Sequence, residues 1–270
     1  MYRRLTERDF SRRFACFTFD DGYRDNRDFA LPVMREFDAP FTVYVASDFA
    51  GRYRPSLVDR TGDGDRQDRL DRSRHRRPDR PPRYQHAGRQ GAAFNRLHDW
   101  LRGLPGAGDS QREVSALCAR YGVDETAISR ELCMSWDELK PFAEDPLIGI
   151  GAHTITHCNL AKQSREIAGQ EMTVSRQRIE DALQKRCFIS LIPMATRSRP
   201  ARANSPWRKR PDQDRGHHTP GHDLPESAGY LTALPRVSLN GNYQDTRILP
   251  VLTSGAATAM WNGFRRIDAA

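Results

Sequence analysis

Four residues of this 270-residue chain could do hydrolytic chemistry together: the adjacent acids Asp20 and Asp21, and the histidines His153 and His157. Neutral imidazole is a common zinc ligand, and two histidines plus one carboxylate with an open coordination position form a hydrolytic zinc pattern. A metal so held lowers the pKa of a bound water towards neutrality. Each pair alone is ambiguous. Asp20-Asp21-Gly22-Tyr23 also suits a turn with solvated acids, and two polar histidines can share a loop without any ligand.

The elements that must position these residues can be read around them. Phe14-Ala15-Cys16-Phe17-Thr18-Phe19 has the aromatic and β-branched texture of a buried strand and ends at Asp20. Successive strand residues point to opposite faces, so both acids can face one way only if the strand has ended, and Gly22 suits the tight turn this requires. Asn26 could cap a helix to about Phe37, bent or delayed by Pro32, and Phe41-Thr42-Val43-Tyr44-Val45 follows as a second strand. Strand, helix and strand in so short a span predict parallel pairing. Later, residues 93–103 and 110–121 read as helices, and Ser135-Trp136-Asp137-Glu138 as a capping box. Residues 147–152 form an apolar strand that delivers His153. The i, i+4 spacing of His153 and His157 would put both rings on one side of a helical turn. Ser164 caps a long helix to about Lys185, whose apolar side would comprise Ile167, Met172, Val174, Ile179, Ala182 and Leu183. Strands are expected from Phe188, over 231–234 and over 237–239, and a final helix over 246–264.

The net charge of +8 is concentrated in two segments. Residues 52–91 hold twelve Arg and six Asp with no Lys or Glu, and 194–223 hold six Arg, one Lys and three Asp; the rest of the chain is near neutral. Both segments lack apolar periodicity and are read as disordered. Their Arg, Pro, Gly, Ala and Asp bias is what a GC-rich coding sequence gives out of frame. The Arg runs are interleaved with Asp and Pro and lack aromatic stacking platforms, which argues against nucleic acid as a partner. His86, His217, His218 and His222 lie in these segments, and His98 falls on a helix surface. Five scattered cysteines without a Cys-x-x-Cys pair argue against a disulfide framework or thiolate site, and Cys158 reads as inert packing. No 18-residue apolar run predicts a membrane span. No apolar leader precedes the first strand, so a cytoplasmic location is expected, left open by how near the chain's start the first motif lies.

Thr18-Phe19-Asp20-Asp21-Gly22-Tyr23 followed by His153-Thr154-Ile155-Thr156-His157 resembles the polysaccharide deacetylases, the NodB-homology or carbohydrate esterase family 4 proteins. The resemblance covers about 14–51 and 135–191, is weaker over 92–134 and 224–270, and is lost in the two Arg-rich segments. It implies a single α/β domain over 10–270, a distorted and incomplete (β/α) barrel. It further implies a divalent metal, usually zinc, and removal of acetyl groups from acetylated poly- or oligosaccharides containing N-acetylglucosamine. Asp21, His153 and His157 would ligate the metal, Asp20 would be the general base, and Thr154 would support the loop. Two departures stand out. The Arg- and Pro-containing loop expected after the strand at Phe188 is replaced by Ile192-Pro193-Met194-Ala195-Thr196-Arg197. Leu234-Pro235-Arg236-Val237 stands where a Leu-x-His is expected, and Arg236 cannot donate a proton at neutral pH. The competing reading is a catalytically impaired relic that binds metal or glycan without turnover. Oligomeric state is not fixed by the sequence.

Overall fold

Aromatic and β-branched residues in short runs build the strands that carry the site. A computed structural model describes residues 2–12, 14–51, 94, 96–101, 103–104, 108–187, 189–192, 214–217, 219–220, 235–239, 245–255 and 260. After a short helix α1 (Tyr2–Thr6), β1 (Phe17–Asp20) pairs in parallel with β2 (Phe41–Val45), Phe17 opposite Phe41 and Asp20 opposite Tyr44. β3 (Ile148–Ala152) flanks the other side of β2, with Val45 opposite Ala152. β4 (Ile189–Ile192) and β5 (Asp214–His217) extend the sheet in the order β1-β2-β3-β4-β5, every pairing parallel. Two short strands, β6 (Thr219–Pro220) and β7 (Pro235–Arg236), pair separately. The architecture among the described residues is α/β with a partial, five-stranded parallel sheet, the arrangement an incomplete (β/α) barrel would show.

The connection from β1 to β2 differs from a single helix. It comprises a π-helical turn at Asn26–Ala30 and then α2 (Leu31–Glu36), with Pro32 in the first turn of α2. Proline has no N–H to donate, so it fits a helix start and not a continuous interior. A four-residue helix, α3 (Ser47–Ala50), follows β2, and α4 (Asp109–Tyr121) matches the expected second helical stretch. Helical residues also fall within 94–103. An unanticipated helix, α5 (Glu125–Leu132), is capped by the Asp124 side chain.

The long helix α7 (Arg165–Leu183) starts at Ser164, whose hydroxyl accepts from Ile167 N at 3.2 Å. Its buried face is only in part the expected one: Met172, Ile179 and Leu183 are buried as expected. Ile167 and Val174 are exposed, while Glu171 and Ser175 are buried beside Met172, Ile179 and Leu183. The face is set by what lies beneath it, a loop with polar backbone to satisfy. The main core packs Met34, Phe41, Val43, Leu139, Phe142 and Ile179 between the sheet and the helices.

Residues 52–91 lie outside the described residues. Of 194–223, only 214–217 and 219–220 are described, and both are strands, not disordered chain. Backbone pairing to an open strand edge needs no apolar side chain. The expected strand at 231–234 lies outside the described residues, and 237–239 is irregular. The last helical region comprises a 3₁₀ turn at Thr246–Ile248 and α8 (Leu249–Thr253), which tolerates Pro250 in its first turn. Residues 256–259 and 261–270 of the expected final helix lie outside the described residues.

The capping box opens α6 (Trp136–Phe142). Ser135 Oγ accepts from Glu138 N at 3.3 Å, and Glu138 Oε2 accepts from Ser135 N at 2.9 Å. Glu138 also accepts from Arg24 at 2.8 Å on each oxygen and from Arg27 at 3.0 Å. This network ties α6 to the turn after β1, where Met134 N donates to Gly22 O at 3.0 Å. The Arg24 guanidinium holds the Glu138 carboxyl well below the usual carboxylate range. A depressed acid contributes stability above its ordinary value, 4.5, and loses it as pH falls. Glu138→Gln should therefore destabilise the protein by about 1–3 kcal/mol at pH 7, with the difference shrinking below about pH 4.5. Urea melts of both proteins at pH 7 and pH 3 test this; an equal difference at both pH values would dismiss the ionic part of the network.

Candidate active site

The parallel register brings the carboxyl ends of β1, β2 and β3 side by side, where α/β folds present their chemistry. Asp20 is the last residue of β1, and Asp21 turns out of the strand with φ 70°. Gly22 follows at φ 75°, and a Cβ there would stand 3.3 Å from Val45 Cγ2, so a side chain would be strained and crowded. His153 follows β3 directly, its N–H donating to Val45 O at 2.9 Å.

His153 and His157 do not share a helical turn. Residues 153–159 are irregular, and both Thr154 (φ 66°) and His157 (φ 56°) adopt left-handed backbone. These reversals, not helical periodicity, bring the rings to 4.8 Å between centroids. His153 Nε2 lies 3.7 Å and His157 Nε2 lies 3.3 Å from Asp21 Oδ1. One donor atom from each of the three residues falls within 4.8 Å of the others. Ligands at zinc bond lengths in a tetrahedral site sit about 3.3 Å apart, close to both separations. Asp21 Oδ1 is buried and has no hydrogen-bond partner among the described residues. An orphaned carboxylate oxygen facing two imidazole nitrogens fits a cation, so Asp21, His153 and His157 could hold a divalent metal.

Asp20 sits differently. It is about one-third exposed, and Arg236 grips it with two bonds, Nη1 to Oδ2 at 3.2 Å and Nη2 to Oδ1 at 3.1 Å. Arg236 comes from β7, and its guanidinium lies 5.9 Å from the Tyr44 ring centroid. Thus the residue standing where a histidine was expected reaches the dyad as a fixed cation. The sequence signals the residue but not its partner. Phe49 packs 6.0 Å from the His157 ring and Tyr44 6.3 Å from the His153 ring. Burial pushes the Tyr44 hydroxyl up to about 12, so it stays protonated. Burial likewise pushes Cys158 up to about 12, in keeping with an inert thiol. His98 stacks on Phe94 at 5.8 Å. The side chains of His86, His217, His218 and His222 lie outside the described residues.

Residues 7–76 match the polysaccharide deacetylase family. The match contains Asp20 and Asp21 and runs past the expected end near 51 into the Arg-rich segment; it stops short of His153 and His157. No curated protein matches the chain. Solved structures similar to it include the deacetylase PplD of Streptococcus pyogenes in complex with acetate, 15% identical, covering 89% of this chain and 71% of that one with a TM-score of 0.48. The BpsB deacetylase domain from Bordetella bronchiseptica is 12% identical, covering 82% and 69% with a TM-score of 0.40. A polysaccharide deacetylase from Bacillus cereus is 15% identical, covering 81% and 45%, also with a TM-score of 0.40. Among the described residues no helix is long and apolar enough to cross a membrane.

Burial pushes the Asp21 carboxyl up to about 6 against an opposing pull from His153, and pushes His157 down to about 4. Between 3.8 and about 6 the folded protein keeps a proton on Asp21 that the unfolded chain releases, so rising pH costs stability. Between about 4 and 6.5 the unfolded chain protonates His157 while the folded protein leaves it neutral, so rising pH adds stability. The two slopes oppose each other across one window. A metal takes only the ionised Asp21. Zinc affinity should therefore be flat above about pH 6 and fall about tenfold per pH unit below it. Calorimetric titration from pH 5 to 7.5 checks this, and a constant affinity between pH 5 and 6 would show that Asp21 is already ionised there and does not hold its proton up to about pH 6.

Proposed function

We propose that this chain is a metal-dependent hydrolase that removes acetyl groups from N-acetylglucosamine-containing poly- or oligosaccharides. The observation that carries the reading is the convergence of His153 and His157 on the orphaned Asp21 Oδ1, with a second carboxylate, Asp20, on the adjacent residue. The family match over residues 7–76 supplies the reaction class. Asp21, His153 and His157 would hold the metal, and neutral imidazoles with one carboxylate suit zinc best. When bound, the metal supplies Lewis-acid polarisation of the acetyl carbonyl and makes a water nucleophilic near neutral pH.

The chain's own residues supply the rest. Burial keeps His157 neutral and so available as a ligand above about pH 4. Asp20 takes the proton of the attacking water on a carboxylate oxygen. Each of its oxygens keeps a free lone pair beyond the Arg236 bonds, which fix its orientation. The oxygen–carbon bond forms, the carbon–nitrogen bond breaks, and the departing amine needs one proton. The proton received by Asp20 meets that need, so one carboxyl group serves in both directions and no histidine is required at position 236. Tyr44 and Phe49 wall the two imidazoles.

The test measures zinc content and acetate release from chitooligosaccharides, with and without chelator. Release should be abolished by chelator and restored by zinc. Asp20→Asn should retain zinc and lose at least about 100-fold in turnover, whereas His153→Ala should lose zinc itself. Full turnover by Asp20→Asn would defeat the role given to Asp20, and zinc bound without acetate release from the parent protein would leave a binding function alone.

A further inference from the structure

The loop between the two histidines has no helix or strand of its own, yet the backbone groups at its centre are met from outside it. Thr154 O accepts from Ser47 N at 3.2 Å and from Ser175 Oγ at 2.7 Å. Ile155 O accepts from Asp48 N at 2.9 Å. Ile155 N and Thr156 N both donate to Glu171 Oε2, at 2.8 and 2.9 Å, and the Thr156 hydroxyl donates to Glu171 Oε1 at 2.9 Å. Glu171, Ser175 and Arg178 are spaced along one side of α7, and Arg178 in turn pairs with Asp48 Oδ1 at 2.7 Å.

Glu171 is the member of this set that spans the middle of the loop. It is buried on the helix face that also buries Ala168, Met172, Ser175 and Ile179. A buried carboxyl group is costly unless its oxygens are satisfied, and here residues 155 and 156 give three donors and the Cys158 thiol, one residue past His157, gives another. Those residues lie between two left-handed positions, Thr154 and His157, each of which costs of order 1 kcal/mol and persists only if its surroundings over-determine it. We infer that Glu171 is a positioning residue: by clamping Ile155 and Thr156 it sets the separation and orientation of His153 and His157. The inference rests on the metal-site reading of Asp21, His153 and His157, and it assigns Glu171 no contact with metal or substrate.

The Glu171→Gln variant separates positioning from charge. Its side-chain carbonyl can accept both backbone N–H groups, and its amide can donate to a rotated Thr156 hydroxyl. Neither is open to alanine. In zinc titrations, Glu171→Ala should weaken binding about 10–100-fold and Glu171→Gln should restore it to within about 3-fold of the parent. Turnover should follow the same order through kcat, with KM for chitooligosaccharide little changed. The absorption spectrum of the cobalt-substituted protein should change in the alanine variant and return in the glutamine one. Parent-like zinc affinity and cobalt spectrum in Glu171→Ala would overturn the inference while leaving the metal site standing. Equal losses in both variants would overturn it too. If the parent protein binds no zinc, the site reading and this inference fall together. Should Glu171→Ala not fold, Thr156→Val removes one of the three bonds and should still weaken zinc by about 3-fold; unchanged affinity there would count against the clamp.

Discussion

A carboxylate oxygen buried without a donor is tolerated only when a proton or a cation meets it, and the elements of the site converge on an atom of that kind among the described residues, Asp21 Oδ1. Burial raises the hold of Asp21 on its proton and lowers that of His157, so between about pH 4 and 6 both free groups are neutral, and above that range Asp21 carries its charge beside two imidazoles. A divalent cation offers the alternative of a charged carboxylate against two neutral imidazoles. The surrounding backbone is arranged for that cluster at some conformational expense. Asp21, Thr154 and His157 all sit in left-handed conformations that non-glycine residues rarely adopt. Three such residues around one point require rigid support, and the strand register, the β1 turn and α7 supply it.

Much of that support was legible. The strand patterns at 41–45 and 147–152 placed β2 and β3, because short apolar runs bounded by Gly, Pro and polar residues have few alternatives; the pattern at 14–19 located β1 but started it three residues early and made it more buried than it is. The Ser135 capping box and the Ser164 cap were also readable, since each depends on local side-chain bonding that the sequence states directly. Apolar spacing over 26–37 continues through Pro32, which calls for a bend or a late helix start. The structure resolves the conflict with a π-helical turn ahead of the proline.

What the sequence concealed was long-range. Nothing near Arg236 announces Asp20, 216 residues away, as its partner. Apolar periodicity assigned Ile167 and Val174 to the buried side of α7, but that side must answer an irregular loop rich in unpaired backbone groups. Glu171 and Ser175 answer it, so the helix rotates its polar residues inward and leaves two apolar ones exposed. The i, i+4 spacing of the histidines suggested a helical turn for a similar reason: spacing is visible in sequence, whereas the left-handed residues that close the loop are not.

The two acids illustrate how backbone direction separates chemically identical neighbours. Asp20 still belongs to β1 and reaches a partly exposed position where Arg236 fixes both oxygens. One residue later the chain has turned, and Asp21 points into the buried cluster with the imidazoles. Adjacent carboxylates in such unlike surroundings differ in what they can do, one facing two imidazoles in a buried cluster and the other held by a guanidinium at a partly exposed position. The two positions cannot be exchanged by a small rearrangement. Asp21 depends on the left-handed turn and on Gly22, where a side chain would be strained and crowded against Val45, while Asp20 depends on ending the strand opposite Tyr44. The asymmetry of the dyad is therefore a property of where β1 stops.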